Sequence, residues 1–231
     1  MLKRHDRLKR IQQACQRPVG LENLAFSYCL DEVKRHGEFL NRLLEPLNGF
    51  LILDLHNLYC QLHNFKIEFE ELIQLYELER VREIHISGGS WEASAIQPAE
   101  KIRRDTHDDG VPDQVFSLLE QTINRCPNLK FVVLEQLGVG LKTEASRLQF
   151  QADFHRLDRI VEAANAAKPI TNEAEFDFSP MLKFELSDPV EDDSIDQQQT
   201  VLSDILETAA DHRHTSQLMA ESVLALSLIH I

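Results

Sequence analysis

The sequence predicts an α/β fold of parallel strands joined by crossover helices, and three observations predict it. Short apolar runs, too short to be helices, alternate with longer stretches of helical period. Four such runs recur in that alternation, which is the pattern of strands laid side by side with helices packed over them. Each run delivers a side chain of ligand type near its end, namely Glu22, Asp54, His85 or Glu135, as strands do when they point together at the C-terminal face of a barrel.

The elements follow in order. Leu2, Leu8, Ile11 and Cys15 fall at roughly helical spacing among charges, and Arg17-Pro18 stops that helix. Val19 to Leu24 reads as a short strand with Glu22 and Asn23 near its end. Residues 31–47 return to helical period through Val33, Phe39, Leu40, Leu43, Leu44 and Leu47. Asn48-Gly49 is a turn signal, and Leu51-Ile52-Leu53 behind it is a buried strand that ends at Asp54. An acid in that place reads either as a cap of the next turn or as a ligand.

Residues 67–78 are amphipathic, with Phe69, Leu72, Ile73 and Tyr76 on one face, and Val81 to Ile86 is a third strand with His85 near its end. Gly88-Gly89 then opens a polar excursion to about Pro112 that holds Trp91, Asp105 and His107. It is longer than most strand-to-helix connections, which marks it as functional or mobile. Val115, Leu118, Leu119 and Ile123 make the next helix, Lys130 to Glu135 a fourth strand, and residues 148–167 a closing helix.

Beyond this the composition turns acidic. The organisation expected is a barrel portion over residues 1–167, an acidic solvated linker over 168–199 and a helical tail over 200–231 carrying the stripe Leu202, Ile205, Leu206 and Ala209. His212 and His214 flank Arg213 on what reads as a solvated helix face. The last residues, Leu226 to Ile231, carry no stop signal, as a truncated end would not.

The whole chain, 231 residues with a formal charge of −14 and a pI near 5.1, argues against nucleic acid or an anionic membrane as a partner, since both demand clustered Lys and Arg. Cys15, Cys29, Cys60 and Cys126 form no CxxC pair, so neither a zinc knuckle nor a disulfide framework is suggested and a reducing cytoplasm fits best. No apolar run approaches the ~20 residues of a membrane span.

Glu22, Asp54, Asn57, His85, Asp105, His107 and Glu135 collect into a candidate metal site. Imidazole and carboxylate without thiolate suits iron, manganese or zinc, and carboxylates able to bridge favour more than one ion. Asp105 and His107 address one ion together if their backbone is extended, because side chains at i and i+2 then share a face. Singly, His85 is more often a packed core histidine than a ligand.

Taken in order, Leu21-Glu-Asn-Leu-Ala-Phe-Ser-Tyr28, Leu53-Asp-Leu-His-Asn-Leu-Tyr59 with Asn64, Glu83-Ile-His-Ile-Ser-Gly88, Asp105-Thr-His107 and Leu134-Glu135 resemble the motifs of the multinuclear non-heme iron-dependent oxidative enzymes, the family of the methanobactin-biosynthesis oxidase. The resemblance covers roughly residues 5–165. It implies a xylose isomerase-like TIM-type barrel, here a partial one, in which the seven residues hold two or three iron ions. It implies that O₂ is used to remodel residues, commonly cysteine, of a ribosomally made precursor peptide, with a partner protein or fused domain presenting that peptide.

The family's barrel begins with further histidine-bearing strands, so this chain is expected to be the C-terminal portion of one. A second histidine also follows the third strand where Gly89 stands here. Two other readings stay open: a divalent-metal barrel enzyme of isomerase or hydrolase type, or a half barrel kept as an interaction module.

Overall fold

The computed structural model describes residues 2–94, 99–167 and 193–225, which divide into two compact units, Met1–Leu186 and Ser187–Ile231. In the first, helix α1 (Leu2–Cys15) leads into β1 (Gly20–Glu22), α2 (Leu30–Leu44), β2 (Phe50–Asp54), α3 (Leu55–Phe65), the short α4 (Phe69–Ile73) and β3 (Val81–Ser87). A hairpin of β4 (Trp91–Ala93) and β5 (Lys101–Arg103) follows, then α5 (Asp113–Thr122), β6 (Phe131–Glu135) and α6 (Glu144–Ala167).

The four predicted strands form one parallel sheet in the order β1-β2-β3-β6. It is a partial barrel of the kind expected. Strand residues alternate between its faces. Leu51 and Leu53 of β2 and Ile84 and Ile86 of β3 face the helices, where they join Leu55, Leu58, Leu72, Val115, Phe116 and Leu119 in the core. By the same alternation the other face carries Ile52 and Asp54, then Glu83, His85 and Ser87, then Phe131, Val133 and Glu135. Phe131 on that face is 64% exposed.

The local expectations need correcting in two places. Helix α3 starts directly after Asp54, where the sequence reading had no helix before residue 67. Its period is present in the sequence, since Leu55, Leu58, Tyr59, Leu62 and Phe65 recur at helical spacing, but the polar residues on the other face, His56, Asn57 and Gln61, are buried too rather than solvated. The stretch 67–78 holds only the one-turn α4 and a 3-10 turn, Leu78–Arg80. Within the polar excursion, β4 and β5 pair antiparallel, with Trp91 opposite Arg103.

In the second unit, α7 (Asp193–Thr208) begins inside the stretch read as linker. Asp193 and Asp196 in its first turn complement the positive end of the helix dipole. Helix α8 (His212–Ala220) is capped by Asp211, whose side chain accepts the His214 N–H at 2.8 Å. The stretch 168–192 and the terminal 226–231 lie outside the described residues. No helix of the described residues is long and apolar enough to cross a membrane.

Candidate metal centre

The C-terminal strand ends converge because the strands are parallel and in register. Asp54 is the Cα partner of His85 across β2 and β3, and Ser87 that of Glu135 across β3 and β6. Glu22 closes β1. His85 sits two residues before its strand's end rather than at it, which sets it beside Asp54 and one alternation below Glu135. Glu22, Asp54, His85 and Glu135 each offer one ligand atom, and those four atoms lie within 4.8 Å of one another.

Asp54 is fully buried and has two tasks. Its Oδ1 caps α3 by accepting the Asn57 N–H at 2.6 Å, while its Oδ2 has no hydrogen-bond partner. Asn23 clamps the Asp54 backbone from β1, accepting its N–H at 2.7 Å and donating to its carbonyl at 2.9 Å. Asn57 donates its amide to Glu22 Oε1 at 3.4 Å and to the Asn23 carbonyl at 2.9 Å, leaving its own Oδ1 buried without a partner. His85 Nδ1 stands 3.1 Å from Glu135 Oε1 but out of hydrogen-bond alignment, and 3.8 Å from Glu22 Oε1.

Asp105 and His107 form the adjoining half of the cluster. Asp105 Oδ1 receives His107 Nε2 at 2.8 Å, His56 Nδ1 at 3.0 Å and Ser87 Oγ at 3.4 Å. The extended backbone expected for this pair is not found: His107 has φ 52°, in the left-handed region that costs a non-glycine residue on the order of 1 kcal/mol. A bond from the Leu137 N–H to the His107 carbonyl, 2.8 Å, helps hold it there. Glu135 spans both halves, with Oε1 toward His85 and Oε2 3.5 Å from His107 Nδ1.

The protonation equilibria reflect this crowding. Burial pushes the Asp54 carboxyl well above the usual range and outweighs the Asn57 hydrogen bond that favours its charged form. Burial also raises Glu22. Burial opposes the His85 cation, but Glu135 and Glu83 overcome it and raise His85 to about 9. The neighbouring His85 ring holds Glu135 low. Burial would raise Asp105, yet His56 and His107 together keep it below its ordinary value. Burial depresses the His56 cation.

The arrangement fits a metal ion on two grounds. Buried polar atoms ordinarily find partners, yet Asp54 Oδ2, Asn57 Oδ1 and His85 Nδ1 lack them at one place. Carboxylates also outnumber cationic groups there, a repulsion that divalent ions relieve. The donor set, oxygen and imidazole without thiolate, is that of a hard or borderline ion.

Several residues outside the predicted ligand set act here. Glu83 accepts His85 Nε2 at 2.7 Å; its position two before His85 on a strand was the available signal, since such residues share a face. His56, Ser87 and Asn23 stand within the motifs quoted above, but which groups they meet was not legible, because their partners are distant in the chain. Gly89, standing where the resembled family has histidine, has a backbone explanation: a Cβ there would meet the Arg104 carbonyl at 2.2 Å and His56 at 2.9 Å.

A family model described as RiPP precursor modification enzyme MbnB/TglH/ChrH matches residues 3–138. RiPPs are ribosomally synthesised and post-translationally modified peptides. Among curated proteins, a UPF0276 protein of Shewanella loihica is 31% identical over 113 residues, which is 49% of this chain and 38% of that protein. One from Alcanivorax borkumensis is 29% identical over 132 residues, covering 54% and 42% respectively, and one from Paraburkholderia phytofirmans is 30% identical over 125 residues, covering 52% and 39%. The chain thus spans about two fifths of the length of these relatives.

Proposed function

Because this chain belongs to the MbnB/TglH/ChrH family of RiPP precursor modification enzymes, we propose that it takes part in iron-dependent, O₂-using oxidation of a ribosomally made precursor peptide, at cysteine. The observation that carries this reading is the convergence of Glu22, Asp54, His85 and Glu135 within 4.8 Å around buried ligand atoms that have no other partner.

In this proposal Glu22, Asp54, His85 and Glu135 would hold iron, and Asp105, His107 and Asn57 would complete the ligand set. Glu135, whose two oxygens face the two halves of the cluster, would join those halves. Bound iron would supply the redox chemistry with O₂ that no side chain can. The protein's own share is orientation. Asn23 and the α3 cap fix Asp54, Glu83 turns His85 so that Nδ1 faces the cluster, and the Leu137 tether holds His107. Buried Leu53, Leu55, Ile84 and Ile86 exclude water behind the ligands and so strengthen their grip on a cation. A partner protein or fused domain would present the peptide.

The test is metal analysis of the chain loaded with ferrous iron under low oxygen, beside Asp54→Ala and His107→Ala, followed by oxygen uptake on adding a cysteine-bearing peptide. Two or more irons per chain, diminished in both variants, and peptide-dependent uptake are expected. Equal iron in parent and both variants would overturn the ligand assignment. Full activity with zinc in the absence of oxygen would overturn the oxidative chemistry.

A further inference from the structure

His56 lies outside the ligand set, yet its ring is fully buried and held at both nitrogens. Nδ1 is 3.0 Å from Asp105 Oδ1, and Nε2 accepts from Arg103 Nε at 3.1 Å. A guanidinium carries donors only, so Nε2 must present its lone pair there, and a neutral ring then carries its proton on Nδ1, facing the carboxylate. Arg103 thereby selects one tautomer of His56.

Arg103 is itself immobilised. It is buried, with its guanidinium carbon 5.1 Å from the Trp91 ring centroid and 5.7 Å from that of Tyr59. Asn64 clamps its backbone, accepting the Arg103 N–H at 2.8 Å and donating to its carbonyl at 3.0 Å. Tyr59, Asn64 and His56 all belong to α3, while Trp91 and Arg103 face each other across the hairpin. One helix and one hairpin thus form a frame that ends two residues before Asp105. This gives the long excursion after β3 a purpose.

We propose that His56, locked by Arg103 as the Nδ1–H tautomer, is a positioning residue that fixes the orientation of Asp105. His56, His107 and Ser87 all meet the same oxygen, Oδ1, so the carboxylate is pinned from one side and its plane is set before any ion arrives. The role of Asp105 as a ligand rests on the function proposed above; the tautomer and the pinning do not. Carboxylate ligands held by such outer hydrogen bonds usually lose about 10–100-fold in metal affinity when the holding group is removed.

The first measurement is nitrogen-15 imidazole NMR on the metal-free protein, with the His56 signals assigned by their loss in His56→Asn. Nδ1 protonated and Nε2 bare in the parent, changing to a mixture in Arg103→Met, is the expected result. An Nε2–H tautomer or an imidazolium in the parent overturns the proposal. The second measurement is cobalt(II) affinity of His56→Leu, which removes both bonds, against His56→Asn, whose amide still reaches Asp105. A loss of about 10–100-fold in His56→Leu, largely restored in His56→Asn, is expected, and equal affinities in the two variants overturn the proposal. Should His56→Leu not fold, the tautomer in the parent and in Arg103→Met decides alone. A parent that binds no cobalt would instead overturn the metal-centre reading, and the NMR result would still decide the role of His56.

Discussion

Asp54 caps α3 with one carboxylate oxygen, accepting the Asn57 N–H at 2.6 Å, while its other oxygen stays buried without a hydrogen-bond partner and the carboxylate gathers with Glu22, His85 and Glu135. Capping therefore does not use up the carboxylate, which keeps one oxygen free for the proposed centre. The same residue starts the helix and faces the centre, so the two roles are separable only by substitutions that keep one oxygen.

Asp54→Ser retains a capping oxygen and removes the free one. It is expected to lose bound metal while unfolding in urea near the parent's midpoint, whereas Asp54→Ala loses metal and also about 1 kcal/mol of cap stabilisation. Metal analysis and urea titration of both variants check this. Metal retained in Asp54→Ser would show that Oδ2 is not a ligand.

Metal affinity should rise with pH. In the metal-free protein His85 is held protonated up to about 9 by Glu135 and Glu83 against its burial, and an ion must displace that proton. Between pH 6.5 and 9 the affinity should increase by up to about tenfold per pH unit for each proton released, levelling off above. Competition titrations with a chelator at several pH values measure the slope.

The same shifts set the sign for stability without metal. A raised histidine pKa contributes stability that is complete below its unfolded value, 6.5, and is lost as pH climbs through about 9. The raised acid pKa of Asp54 acts in the same direction, since its charged form is disfavoured in the fold. Thermal melting of the metal-free protein should therefore fall from pH 6.5 to 9.5, and saturating metal should flatten that fall. Melting curves across this range with and without metal decide it.

Glu83→Ala should weaken metal binding by about 10–100-fold without touching a ligand, because His85 Nε2 loses its 2.7 Å acceptor and the ring is free to rotate. Glu83→Gln keeps a neutral acceptor and should fall between alanine and parent. The two variants are compared by cobalt titration; an alanine variant indistinguishable from the parent would exclude this role.

Gly89→His, which installs the residue the resembled family carries, should destabilise the protein by more than the 1–3 kcal/mol typical of overpacking, since the Arg104 carbonyl stands 2.2 Å from the new Cβ. Thermal melting of Gly89→Ala and Gly89→His tests this. Parent-like melting of either would mean that the hairpin yields readily.

Legibility in the sequence followed the range of the interaction. The four strands showed themselves as apolar runs bounded by turn signals: Asn48, in the left-handed conformation, and Gly49 precede β2 as expected. Helix α3 was as legible, in the spacing of Leu55, Leu58, Leu62 and Phe65, but His56 and Asn57 drew the reading to the strand end instead, and only the fold shows that this polar face is buried. The left-handed His107 defeated the assumption of an extended Asp105-Thr106-His107, since nothing within that triplet signals the Leu137 tether.

The sequence by itself determined where parallel strands lie and that acids and histidines stand at or near their C-terminal ends, because a period of two and an apolar run are local properties of the chain. Only the tertiary structure decided which of those groups meet. That Asp54 stands beside His85, that Glu135 faces both halves of the cluster, and that His56 and Arg103 hold Asp105 follow from strand register and from the docking of a hairpin against α3. Those relations join residues far apart in the chain, and they depend on how whole elements pack, which no local pattern encodes.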